Sequence, residues 1–98
     1  MIKAKFKKFP KDSNWVEGIV SDEFKKFKFM AKVFDEPSTY GINDGRVSKL
    51  SITEKTPWDS LCVNYDRGWD IRPHESVEPY YKAVLELLEN SPKRFENE

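Results

Sequence analysis

The stretch NYDRGWD, Asn64 to Asp70, places two carboxylates, a guanidinium, a glycine and two large aromatics in seven positions. Asp66 and Asp70 are residue types that can work as an acid–base pair or offer oxygen ligands to a hard cation. Either chemistry needs both in one cleft, and a partner such as Asp35, Glu36 or Asp44 would complete a hard-metal cage. No histidine is near, and Arg67 between the aspartates makes an ion pair the simpler reading. Read as a turn, the segment has Asp66 bonding the turn backbone, Gly68 supplying a positive φ and Trp69 closing the core. Arg67 would then pair with a carboxylate of DEPS, residues 35–38.

A second segment, YGINDGR (40–46), has two glycines and an arginine, as a phosphate loop does. It lacks the Lys-Ser/Thr pair and leads into no helix, so a turn is the expectation, with Gly45 of NDG free to take positive φ. If the strands holding the two segments are neighbours, Tyr40, Asp44, Arg46, Asp66, Arg67 and Trp69 converge at one end of a sheet, with Asp70 beside them. Arg, Tyr and Trp dominate interface hot spots, so this set is read as a protein-binding surface. No catalytic residue, metal ligand set or cofactor is assigned. The alternative is a nucleic-acid face built from Lys5, Lys7, Lys26, Lys28 and Lys32, with Phe6, Phe24 and Phe27 as stacking rings. Phe27, however, alternates with lysines as a core residue does.

The elements that must position these groups follow from hydrophobic period. IKAKFKKF (2–9) alternates, with lysines on the outer side, the pattern of a protected edge strand. WVEGIVS (15–21) is the next strand, where Gly18 points to a bulge or a close packing partner. In FKKFKFMAKVF (24–34), Phe27, Phe29, Ala31 and Val33 share one face. RVSKLSI (46–52) and LCVNY (61–65) continue the sheet, and Gly68 and Pro73 end it. Near the C-terminus Tyr81, Val84, Leu85 and Leu88 recur at helical spacing, with Ser76 as cap and Glu78 and Pro79 in the first turn. The reading is α+β in the order β-β-β-β-α: an antiparallel sheet of four or five strands with one helix on a face. It is a single domain, 1–98. Residues 1–14 are a lysine-rich edge, 15–73 the sheet, 76–90 the helix and 91–98 a loose tail.

Formal net charge is zero, against a generally polyanion-seeking protein, and weak nucleic-acid binding is expected at physiological salt. The charge is uneven: residues 1–34 hold nine lysines against four acids, +5, and the rest is −5. The lone cysteine, Cys62, excludes an internal disulfide and fits a reducing cytosol. One cysteine and one histidine, His74, do not make a standard structural zinc site. No apolar run is long enough to span a bilayer, and the basic, alternating N-terminus is not a signal peptide.

WVEG (15–18), AKVFDEPSTYGINDGRVSKL (31–50) and VNYDRGWD (63–70) together resemble a small uncharacterised domain family of Gram-positive bacteria, their phages and mobile elements. The resemblance runs over residues 15–88 and implies phage or mobile-element biology without an activity, substrate or cofactor. The expected function is a non-enzymatic, protein-binding accessory factor in the cytoplasm, monomer or homodimer, modulating a host or defence protein. The lysine-rich face as a nucleic-acid site is the alternative.

Overall fold

In the computed structural model, which describes residues 1–95, the alternating segments form β1 (Lys3–Lys8), β2 (Trp15–Ser21), β3 (Lys26–Val33), β4 (Val47–Glu54), β5 (Ser60–Asp66) and β6 (Trp69–Ile71), followed by α1 (Glu78–Glu89). The six strands make one antiparallel sheet in chain order. The expected α+β class holds, with six strands in place of four or five. The addition is β6. Three residues are too short to show a period of two, and its pairing, Tyr65 with Trp69 and Asn64 with Ile71, begins just beyond Gly68, where the sheet was expected to end.

Alternation decides what is buried. Phe27, Phe29, Ala31 and Val33 of β3 face inward with Val16, Val20, Leu50, Ile52 and Val63, and α1 covers them with Tyr80, Tyr81, Val84 and Leu88. Gly18 lies opposite Phe6 on one side and Phe29 on the other. A Cβ there would overlap the Phe29 ring and the Lys5 carbonyl, so the close packing partner is the Phe29 side chain. The helix is shorter than 76–90. Val77 stands at its N-cap with no side-chain cap bond. The Ser76 hydroxyl is instead 3.0 Å from His74 Nδ1.

The segment after the helix, expected to be loose, is tied down as far as residue 95; residues 96–98 lie outside the described residues. The Arg94 guanidinium donates to the carbonyls of Ser13 at 2.6 Å, Val33 at 2.8 Å, Asn14 at 3.2 Å and Pro10 at 3.3 Å. It also stacks on Phe9, 4.6 Å from the ring centre. The Asp35 carboxylate accepts the backbone N–H groups of Arg94 at 2.9 Å and Phe95 at 2.7 Å. A spread of donors on a planar cation suits carbonyls from two separate segments.

At the other end of the sheet the Tyr80 hydroxyl donates to Asp22 at 2.6 Å. That bond holds the Asp22 carboxyl below its ordinary range and pushes Tyr80 up to about 12. The Arg94 N–H, chief among its neighbours, lowers Asp35. A depressed carboxylate stabilises the fold fully above its unfolded pKa, about 3.9, and loses this as pH falls through the folded value. For Tyr80 the stabilisation is complete below about 10 and is lost as pH rises through about 12. Thermal melts across pH should therefore fall off in acid below about pH 4, and Asp22→Asn should flatten both the acid limb and the alkaline one.

Candidate functional site

The Arg67 turn and the 34–46 connection meet at one end of the sheet. Between them opens a cleft of about 760 Å³, lined by Tyr40, Arg67, Lys32, Lys49, Ser48 and Phe34 among others. Of the residues expected to converge, Tyr40 and Arg67 do. Tyr40 is 60% exposed, and its carbonyl accepts the Tyr65 hydroxyl at 2.8 Å, fixing the connection against β5. Arg67 has φ 57, the left-handed region, and its N–H donates to the Ser48 carbonyl at 2.9 Å. Gly68 was expected to hold that positive φ, but no glycine in the described chain has one. The left-handed residue of this turn is thus the arginine, whose N–H is also the one bonded to β4. The same correction applies to NDG. Asn43 (φ 54) and Asp44 (φ 58) take the left-handed conformation within the 3-10 turn Ile42–Asp44, while Gly45 has φ −100. A Cβ at Gly45 would displace the Glu89 carboxylate, which accepts the Arg46 N–H.

The other expected members are spread out. Arg46 is a structural clamp: Nε donates to the Phe34 carbonyl at 2.8 Å, and Nη1 donates to the carbonyls of Glu89 at 3.0 Å and Ser91 at 2.7 Å. Its backbone N–H meets the Glu89 carboxylate at 2.9 Å. The last turn of α1 has no basic residue of its own, so Arg46 supplies the cation that the helix C-terminus favours. Trp69 is wedged edge-on between Tyr65 and Tyr81, with ring centres 5.1 and 5.7 Å away, on the core side. Asp70 accepts from Asn64 Nδ2 at 3.0 Å. Asp44 is exposed in its turn. Asp66 pairs with Lys49 at 3.5 Å and with Arg67 Nε at 3.9 Å, and the expected pairing of Arg67 with DEPS does not form. The DEPS carboxylates are occupied by the C-terminal segment: Asp35 by backbone N–H groups, Glu36 by Lys93 at 2.7 Å.

Lys49 and Ser48 are members the sequence reading missed, and Lys32 had been placed on the alternative face. Lys32 and Lys49 are direct cross-strand partners. Like charges in that position repel unless a counter-ion sits between or above them. Asp66 answers only part of this, because it also serves Arg67. Among the described residues Lys32 has the Phe34 ring at 5.4 Å and no ion-pair partner. Lys32, Lys49 and Arg67 share this end of the sheet with three carboxylates, Asp66 beside Lys49 and Arg67 and Asp35 and Glu36 held by the C-terminal segment, next to the hydroxyls of Ser38, Ser48 and Tyr40 and the ring of Phe34. Only the register of β3 against β4 makes this cluster, and no local signal in the sequence encodes it. Cys62 donates to the Ser60 carbonyl and His74 lies by the helix start, both outside the cleft. Among the described residues no three His, Cys, Asp or Glu gather as a metal cage.

The fold and site define a class: an open-faced antiparallel meander with one helix behind it and a cationic, aromatic-rimmed cleft at one end. Residues 14–89 match the family described as Domain of unknown function (DUF7678), and the chain belongs to it. No curated protein and no solved structure matches the chain. The matched span runs from Asn14 in the cleft wall to Glu89 beneath Arg46, and leaves out β1 and Arg94. Among the described residues no helix is long and apolar enough to cross a membrane.

Proposed function

We propose that the chain is a non-enzymatic, protein-binding accessory factor whose sheet-end cleft docks an acidic segment of a partner. The observation that supports this most is the opposed pair Lys32 and Lys49 beside Arg67, in a concave site rimmed by Tyr40 and Phe34. A carboxylate-rich segment relieves the repulsion, the serine and tyrosine hydroxyls accept or donate to its backbone, and the rings bury its apolar side chains. The resemblance of the motifs to a family of Gram-positive bacteria, their phages and mobile elements supports the setting. The partner in this reading is a host or defence protein in the bacterial cytoplasm, which agrees with a chain holding one cysteine.

The test is affinity capture from nuclease-treated lysate of the source cells, wild type against Arg67→Glu and Tyr40→Ala. The wild type is expected to retain one stoichiometric protein, and Arg67→Glu to weaken it more than tenfold by reversing an interfacial charge. All three proteins should melt alike, because both side chains are exposed. A capture profile indifferent to Arg67→Glu would sink the reading.

A further inference from the structure

The face of the sheet opposite α1 holds charge that the chain leaves unanswered. Across one rung the cross-strand partners are Lys5, Ile19 and Lys28, and across the next Lys3, Ser21 and Lys26. A shallow trough of about 440 Å³ on this face is lined by Lys7, Lys8, Lys26, Lys28 and Lys55 against a single acid, Glu17. None of those lysines has an ion-pair partner among the described residues. A chain of zero net charge has thus separated its charges, with Glu78 and Glu86 on the helix behind the sheet.

Two aromatics stand in the turns at the end of the sheet where Lys3 and Lys26 lie. Phe24 and Trp58 are each 85% exposed, at the tips of the β2–β3 and β4–β5 hairpins. The Lys55 N–H donates to the Lys26 carbonyl at 2.8 Å, which ties the two tips together. Rings this open on a small domain mark a contact surface. Of the rings expected to stack from sequence, only Phe24 is available: Phe27 is fully buried and Phe6 packs on Phe9 and Phe29.

We propose that this face binds single-stranded nucleic acid, with phosphates along the lysine rows and bases on Phe24 and Trp58. Lysines two apart on a strand repeat every 6.7 Å or about that, and β1 and β3 stand about 9.6 Å apart, so the rows form a regular cationic lattice for an extended backbone. The rings select the single strand, because a duplex keeps its base faces stacked and hidden. The site shares no residue with the cleft and stands or falls separately from it.

The test is fluorescence anisotropy of the whole chain with labelled oligothymidylate and oligouridylate of about 12 nucleotides, across a salt series. A duplex of equal length and polyglutamate serve as competitors. Binding at low salt is expected, with affinity falling steeply as salt rises. The combined variant Lys5→Glu, Lys26→Glu, Lys28→Glu should lower the log–log salt slope by about 2, three phosphate contacts at about 0.7 each. Trp58→Ala and Phe24→Ala should each weaken binding about tenfold with the melting temperature unchanged. The relative affinity of the two oligonucleotides tells DNA from RNA within the same proposal. No binding at low salt, equal competition by duplex or polyglutamate, or indifference to the lysine and tryptophan variants would each overturn it.

Discussion

Arg46→Ala is expected to destabilise the protein by about 3 kcal/mol, and with it to lower the melting temperature by roughly 12–24 °C. The side chain donates to three carbonyls, those of Phe34, Glu89 and Ser91, and joins the 34–46 connection to the end of α1. Charge-assisted bonds of this kind are worth about 1.5–3 kcal/mol each, less in sum because they share one group. Alanine also leaves the carboxylate end of the helix without its cation. The outcome separates two arginines that look alike in the sequence. Arg67→Ala should stay within about 0.5 kcal/mol of the wild type, since its guanidinium is mostly exposed and pairs, among the described residues, with Asp66 alone at 3.9 Å. Urea melts of both variants check this. Equal stability losses would mean that Arg67 is a second clamp, and its place in a binding cleft would need another account.

The second large effect belongs to Gly18. In an ordinary strand, glycine to alanine is neutral or favourable by about 0.5–1 kcal/mol. Here the sign should reverse. The added methyl overlaps a backbone carbonyl, that of Lys5, as well as the Phe29 ring, and the carbonyl belongs to the β1–β2 ladder. Relief requires β1 to move off or Phe29, a core ring, to turn. Overpacking of this sort costs about 1–3 kcal/mol, and Gly18→Ala should lie near the upper end. Gly68→Ala is the control: a Cβ there meets nothing within 4 Å, and its φ is not positive. It should be neutral or slightly stabilising, through the unfolded chain. Hydrogen exchange adds a local readout. If Gly18→Ala loosens β1 alone, the amides of β1 should lose protection while those of β3 and β4 keep theirs.

The two proposed surfaces make opposite demands on these variants. Arg67 and Tyr40 answer for the cleft, Lys5, Lys26, Lys28 and the hairpin-tip aromatics for the open face. Their spacing along the sheet lets one chain hold both, with β1 supplying lysines from outside the family-matched span.

The sequence by itself determined the class of fold and most of the inward face. A strand's period of two sorts Phe27, Phe29, Ala31 and Val33 from Lys26, Lys28 and Lys32 without any knowledge of neighbours, and a helix's period of 3.6 does the same for Tyr81, Val84 and Leu88. It also pointed to a bulge or a close packing partner at Gly18, and the partner is the Phe29 ring. What it left open are the matters that depend on which distant atoms come together. A register of β3 on β4 set Lys32 against Lys49 and created the cleft's charge. The turn bonded to β4 has Arg67 in the left-handed position in place of Gly68. The carbonyls of the loop between β1 and β2 and of Val33 at the end of β3 drew in Arg94, so that residues with no hydrophobic period became fixed. Arg46 and Arg67 have the same side chain in similar glycine-flanked turns. The helix end lies over one and solvent over the other, and that alone makes the first a clamp and leaves the second free to bind.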